Sequence, residues 1–298
     1  MQNTFKEPLI IGTHNAMFHA DEVVACSLLS ILYDGNIQVI RTRIPEELEK
    51  CDVVVDIGGG AYDHHMSGGN GTRENGTPYA SAGLVFKQFG HTLLSKLSCP
   101  DKLLEKCFEL VDKQIIEEVD KIDNGWDTSS PLSDIIKSFN PKWNESFDTV
   151  SFKFNEALLC TTSILKNLIS EIIANTLAEE KMNELLKVHS GRILELKSQH
   201  IPWTYPVIKY NETAETPIDF VVFKYPAGGY AAQAVPPSDK ALFSQRVSFP
   251  KAWAGLSKEL PKLTDVKTAT FCHNNLFFVR ADEKDDVYKL CEIALTEG

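Results

Sequence analysis

The segment Thr13 to Glu22 (THNAMFHADE) concentrates His14, His19 and Asp21, side chains able to ligate a metal or move a proton. Asp56 closes an almost wholly apolar run, Cys51 to Ile57 (CDVVVDI), and Tyr62-Asp63-His64-His65 follows in a stretch rich in glycine. Glu118 to Gly125 (EVDKIDNG) then offers Asp120 and Asp123. Mixed imidazole and carboxylate ligands suit Mn²⁺, Fe²⁺, Zn²⁺ or Co²⁺, and carboxylates bridge two ions. Two such ions about 4 Å apart polarise a phosphoryl oxygen and generate hydroxide for in-line attack. Each residue taken singly has a plainer reading. His14 serves as a loop histidine, Asp21 as a first-turn helix acid, and Asp123-Asn124-Gly125 makes a good turn by itself. Asp56 is harder to dismiss, because an unpaired carboxylate at the end of a buried strand is costly. In His64-His65, one ring can bind metal while its neighbour faces a substrate.

These residues have to be brought together by strand ends. Pro8 to Thr13 reads as a buried strand and Ala20 to Leu32 as a helix with acids in its first turn. Asn36 to Thr42 and Cys51 to Ile57 are further β-branched runs, the second apolar enough to be covered on both faces. The alternation predicts an α/β domain with a parallel sheet, in which ligands bind outside the carboxyl ends of the strands. His14 and Asp56 fall at two such ends. Gly58 to Pro78 holds seven glycines in 21 residues and is too long for a mere connector. Ser81 is placed to cap a helix ended by Gly90, Leu103 to Val119 is helical by its apolar spacing, and Asn155 to Val188 predicts a long helix. From Ser190 the pattern changes to short strands, expected at Val207 to Tyr210, Ile218 to Tyr225, Tyr230 to Val235, Thr268 to His273 and Leu276 to Arg280. A closing helix is expected at Asp285 to Leu295. The chain is accordingly divided into an α/β domain at 1–190 and a smaller α+β domain at 191–298.

With 298 residues, 43% hydrophobic and 24% charged, the composition is globular and excludes a disordered or fibrous chain. The net charge of −11 lies wholly in residues 1–190, with 17 Lys and Arg against 28 Asp and Glu; the remainder is balanced at 13 each. Broad duplex binding is thereby disfavoured, while an anionic substrate held through metals is not. Seven scattered cysteines without a C-x-x-C pair suggest reduced, mostly buried thiols. No apolar run of membrane length and no secretory leader is read, so an intracellular chain without membrane partners is expected, its compartment open. P-loop, Rossmann, G-x-S-x-G and H-E-x-x-H motifs are missing, which leaves kinase, dehydrogenase, serine hydrolase and zincin readings unsupported.

The ordered set H-N-x-x-x-H-x-D, V-V-D-I-G, Y-D-H-H, S-A-G-L-V-x-K-x-F-G and E-E-V-D-x-x-D-N-G resembles the melanocyte-proliferating-gene family, a branch of the DHH phosphoesterase superfamily. The resemblance continues through Gln233-Ala234-Val235-Pro236, Ser244-Gln245-Arg246 and Phe249-Pro250-x-x-Trp253-x-Gly255-Leu256. It implies a DHH-type parallel-sheet domain holding two divalent ions, Mn²⁺ foremost with Mg²⁺, Co²⁺, Zn²⁺ or Fe²⁺ as alternatives, and a C-terminal domain that grips substrate. It further implies a 3′ to 5′ exonuclease acting on RNA or short single strands. By position, His14, His19, Asp21, Asp56, His64 and Asp123 resemble the metal shell, and His65 with Asp63 the catalytic pair facing the substrate. Met66-Ser67 stands where the family has glutamine-arginine, so Arg73 becomes the nearest substrate cation; Arg246 and His273 are the C-terminal candidates. Lys224, Lys240 and Arg280 are secondary cations, and Trp253 is either core or a surface for a base. Hydrolysis of small phosphoanhydrides or cyclic nucleotides, and a non-catalytic module stabilised by metal, are the competing readings.

Overall fold

The computed structural model describes residues 7–126, 128–197 and 201–297. Two compact units, 1–176 and 177–298, emerge from the packing. In the first, β1 (Leu9–Thr13), α1 (Ala20–Leu32), β2 (Ile37–Arg41), α2 (Pro45–Leu48) and β3 (Val53–Val54) build a parallel sheet of order β2-β1-β3. Parallel pairing requires crossovers, and α1 and α2 supply them. β3 is shorter than its apolar run predicts. Val55 still bonds to Gly12, but Asp56 turns into the left-handed region at φ 59°, so the ladder stops and the carboxylate is swung off the sheet edge.

The helices α3 (Ser81–Lys96), α4 (Leu104–Val111), α5 (Glu117–Asp123) and α6 (Pro131–Ser138) complete this unit with most of α7 (Val150–Lys187). α4 and α5 are joined without a break by one π-helical turn, Asp112–Ile116. α1 packs on α3, and Val24, Leu28, Val85 and Leu93 on these two helices are all buried. Gly90 does not end α3. It lies mid-helix because the Phe108 ring comes so close that a Cβ there would meet it at 2.7 Å. Nor does Ser81 cap α3; that task falls to Asp120, as described below. α7 is apolar enough by length and composition to cross a bilayer, yet it carries Phe154, Leu165 and Ile169 into the first core.

The second unit takes up the end of α7, where Met182 and Leu186 pack with Leu194, Leu196 and Val207. That packing draws the division into α7 instead of residue 190. β4 (Ile193–Leu196), α8 (Thr204–Asn211), β5 (Phe220–Lys224), β6 (Tyr230–Ala234), α9 (Leu260–Thr264), β7 (Ala269–Cys272), β8 (Phe278–Ala281) and α10 (Lys284–Glu297) follow. They form a mixed sheet of order β4-β5-β6-β8-β7. The expected strand at Val207 to Tyr210 is instead α8, whose Val207 and Ile208 reach the core from one helical face. Tertiary burial here overrides β-branched propensity. Trp253 is a core residue, stacked with Phe249 at 6.1 Å between centroids. Among the described cysteines all seven are free thiols, five of them buried.

Candidate metal centre

Three chain segments converge beyond the carboxyl ends of β1 and β3. The turn leaving β1 delivers His14, the start of α1 delivers His19, Asp21 and Glu22, and the segment after β3 delivers Asp56, Asp63, His64 and His65. Asp123, the last residue of α5, closes the group. His14 Nε2 lies 3.1 Å from Glu22 Oε1 and 3.2 Å from Asp56 Oδ2. His64 Nε2 lies 3.4 Å from Asp56 Oδ1 and 3.1 Å from Asp123 Oδ2. Three sets of donor atoms fall within 4.8 Å of one another: His14, His19, Glu22 and Asp56; Asp56, His64 and His65; and His19, Asp21 and Asp123. Asp56 is shared by two sets and His19 by two, so the sets are contiguous.

The electrostatics are those of a cluster short of positive charge. Burial pushes the Glu22 carboxyl up to about 8, although His14 pulls it down. Burial, then the neighbouring Asp21 and Asp56 carboxylates, pushes Asp123 up to about 9. Asp56 is raised for the same first reason. Burial by itself would lower the His14 imidazole, but Asp56 and Glu22 outweigh it and hold His14 at about 9. Both carboxylate oxygens of Asp21, Asp56 Oδ1 and His64 Nδ1 are buried without a hydrogen bond among the described residues. Orphaned buried polar atoms are rare and call for an explanation. Divalent cations supply one here: hard oxygen donors and imidazoles in one cleft are the ligand chemistry of such ions, and they would neutralise the repulsion.

His65 is built differently. Its side chain is 63% exposed, and Nδ1 rests 3.0 Å from Asp63 Oδ1. Asp63 is itself fixed: its carboxylate accepts the Gly59 and His65 amides at 2.7 and 3.0 Å. Burial would raise this carboxyl, yet those amides hold it below the ordinary carboxylate range. A carboxylate on Nδ1 keeps the proton there and presents Nε2 outward. His65 lines two cavities, one of about 720 Å³ and one of about 340 Å³, that share Met17 and His19 with it.

The loop carrying His14 and His19 is braced from behind. Arg41 donates to the Ala16 carbonyl at 2.6 Å, and Asn140 grips Phe18 twice, accepting its N–H at 3.1 Å and donating to its carbonyl at 2.7 Å. Neither residue was singled out from sequence, and neither was Glu22. Its only signal was its place beside Asp21, which a first-turn acid explains equally well.

Arg73 does not belong to this group. Its guanidinium bonds Asp112 through Nε and Nη2 at 2.7 Å each and reaches Asp120 Oδ2 at 2.8 Å. The expectation that it serves substrate is corrected: Arg73 is buried as a counter-ion. Asp120 also accepts the Gly83 amide at 3.0 Å, so it caps α3, and a Cβ on Gly83 would collide with its Oδ2. Of Asp120 and Asp123, it is Asp123 that lies among the cluster's donor atoms, while Asp120 is taken up by Arg73 and the Gly83 amide. Arg246 and His273 lie in the second unit. Arg246 Nε is 3.3 Å from Asp219 Oδ1, and the His273 ring lies 4.5 Å from that of Phe277, accepting the Asn275 amide at 3.0 Å.

Residues 10–295 match the family model MYG1_exonuc, described as an uncharacterised protein family (UPF0160). The rat protein named MYG1 exonuclease is 33% identical over 312 residues, covering 93% of this chain and 82% of its own; its human counterpart is 32% identical over 306 residues, covering 91% and 81%. A crystal structure of the exonuclease RecJ bound to manganese aligns over 96% of this chain and 90% of its own, with 14% identity and a TM-score of 0.28.

Proposed function

The chain belongs to the MYG1 exonuclease family, and from that premise we propose that it is a metal-dependent phosphodiesterase releasing nucleotides from the 3′ end of RNA or short single strands. The observation that carries this reading is the buried Asp21 carboxylate, which meets no basic partner among the described residues and adjoins Asp123, a second acid that burial and Asp21 hold high. His14, His19, Asp21, Asp56, His64 and Asp123 are assigned as the residues that would hold two divalent cations, Mn²⁺ foremost, with Glu22 added to the set. The ordered motifs that resemble the DHH superfamily support the same assignment. When bound, such ions supply Lewis acidity toward a phosphoryl oxygen and acidify water.

The chain's own residues do the rest. Asp56, common to two donor sets, ties both halves of the cluster together, and its backbone strain aims it there. Asp63 orients His65 through Nδ1 and leaves Nε2 outward, where its lone pair is placed to take a proton; once Nε2 is protonated, the same atom is placed to donate to a phosphate oxygen or to the departing sugar oxygen. Arg41 and Asn140 keep the His14–His19 loop from relaxing away from the acids. Arg246 and His273 are assigned to the substrate's more distant groups, with the second unit as the substrate-binding domain.

An oligoribonucleotide labelled at its 5′ end tests this directly. With Mn²⁺ present, a ladder shortening from the 3′ end is expected; Asp56→Ala and His64→Ala should abolish it, and EDTA should do the same. Failure to shorten with any divalent metal would overturn the assignment.

A further inference from the structure

The larger cavity beside the cluster has a second wall. Besides His19, His65 and Asp123, it is lined by Ser133, Lys137, Asn140 and Lys142, from α6 and the turn after it. A hollow of about 400 Å³ continues outward: Met17, Pro141 and Lys142 line both spaces, and Trp143 and Phe147 line only the outer one. Trp143 is 97% exposed and Phe147 55%. Two large aromatic rings left in water beside a cleft are an unusual use of surface, since burial of either would be favourable. Lys142 is partly committed, donating to the Ser138 and Asn140 carbonyls at 2.5 and 3.3 Å. Lys137 is exposed and makes no ion pair among the described residues. The acids on these walls are Asp134 and Glu145, and Glu145 is turned back onto the Lys142 amide at 2.7 Å.

We propose that this track is the path of a single-stranded nucleic acid running outward from the cluster. Lys137 takes the phosphate next to the one being cleaved, and Trp143, with Phe147 beside it, stacks a base further along. The spacing of a cation near the cluster and aromatic rings beyond it answers the alternation of phosphate and base in a single strand. The inner volume lies in the range that seats a small ligand such as one nucleotide. Lys137 and Lys142 bring two cations to a lining that also holds Asp123, Asp134 and Glu145, so positive charge is local to the track and not general to it. The inference deepens the nuclease reading, on which it rests for the cleavage step, but the binding it describes is measurable without cleavage.

The test is fluorescence anisotropy of a labelled hexanucleotide with phosphorothioate linkages, titrated with the full chain in Mn²⁺ over a range of salt concentrations. Trp143→Ala should weaken binding on the order of tenfold, the size of a single base stack. Lys137→Ala should lower the slope of log affinity against log salt by about 0.7, the value for one phosphate contact on a single strand. Lys166→Ala, a surface cation elsewhere on α7, should change neither. The proposal is overturned if the wild-type chain does not bind the hexanucleotide, if Trp143→Ala and Lys137→Ala bind as the wild type does, or if Lys166→Ala lowers the slope equally. Loss of binding in the two variants from a wild type that cleaves nothing would sustain the track and sink the nuclease reading. Cleavage with unaltered binding in both variants would do the reverse.

Discussion

Asp120 and Asp123 lie one turn apart on α5 and are both withdrawn from water, yet they answer that cost in different ways. Asp120 meets a resident cation and a helix end: Arg73 at 2.8 Å and the Gly83 amide at 3.0 Å. Burial still pushes its carboxyl up to about 7, against the pull of Arg73. Asp123 meets His64 and more acid, with no arginine or lysine in the ion pairs it makes among the described residues. An acid with its counter-ion built in stabilises a fold. A cluster of acids and imidazoles with orphaned oxygens has the donor set to take a cation from outside. The same residue type on the same helix is paired with a guanidinium in one place and set among acids and imidazoles in the other.

The contrast breaks or holds on three measurements. The largest effect should come from Arg73→Met, which strands Asp112 and Asp120 opposite each other and is expected to cost about 3–5 kcal/mol in urea unfolding. Asp21→Asn should act oppositely on the metal-free chain, raising its stability by relieving repulsion among buried carboxylates. A loss in Asp21→Asn as large as that in Arg73→Met would erase the distinction.

The next effect is linkage. Mn²⁺ at a hundredfold excess over its Kd should stabilise the wild type by about 2.7 kcal/mol, reversibly with EDTA. Arg73→Met should keep that increment and Asp21→Asn should lose most of it. Calorimetric scans with and without metal read both, and a metal increment preserved in Asp21→Asn would remove this residue from the site.

The smallest effect belongs to Glu117, one turn before Asp120. Burial opposes its ionisation, but Lys121, Asn75 and Thr77, at 3.0, 2.9 and 3.0 Å, hold its carboxyl below the ordinary range. A depressed acid stabilises the fold above its unfolded pKa of about 4.3, and that contribution disappears as pH falls through the folded value. Glu117→Gln should therefore flatten the acid limb of the stability curve by roughly 0.5 kcal/mol, the scale of a solvent-screened pair. An unchanged acid limb would show Glu117 to be indifferent.

The grouping of the cluster's side chains is largely legible in the sequence. His14, His19, Asp21, Asp56, Asp63, His64, His65 and Asp123 were all named from strand ends, a loop motif and a family resemblance, and all of them converge. The parallel arrangement of the first strands was equally legible, because buried strands and amphipathic helices alternate at local periods. Glu22 escaped notice since a first-turn acid needs no other explanation. Arg73 misled for a related reason: a basic residue near a motif carries no mark of which acid will claim it. In the second unit, Val207 to Tyr210 has the composition of a strand, and β4 had no distinguishing pattern.

Chemical capability and local period are properties of neighbouring residues, so the inventory of ligands, the parallel strands that present them and the excess acid of the first 190 residues are written along the chain. Neutralisation is not. Arg73 meets Asp112 across 39 positions and the Gly83 amide meets Asp120 across 37, and such meetings arise from packing among helices that share no short-range signal. Which carboxylates acquire a built-in partner, and which are left facing one another around a cleft, was therefore determined by the folded arrangement, because a buried charge is stabilised or left wanting only by what surrounds it in three dimensions.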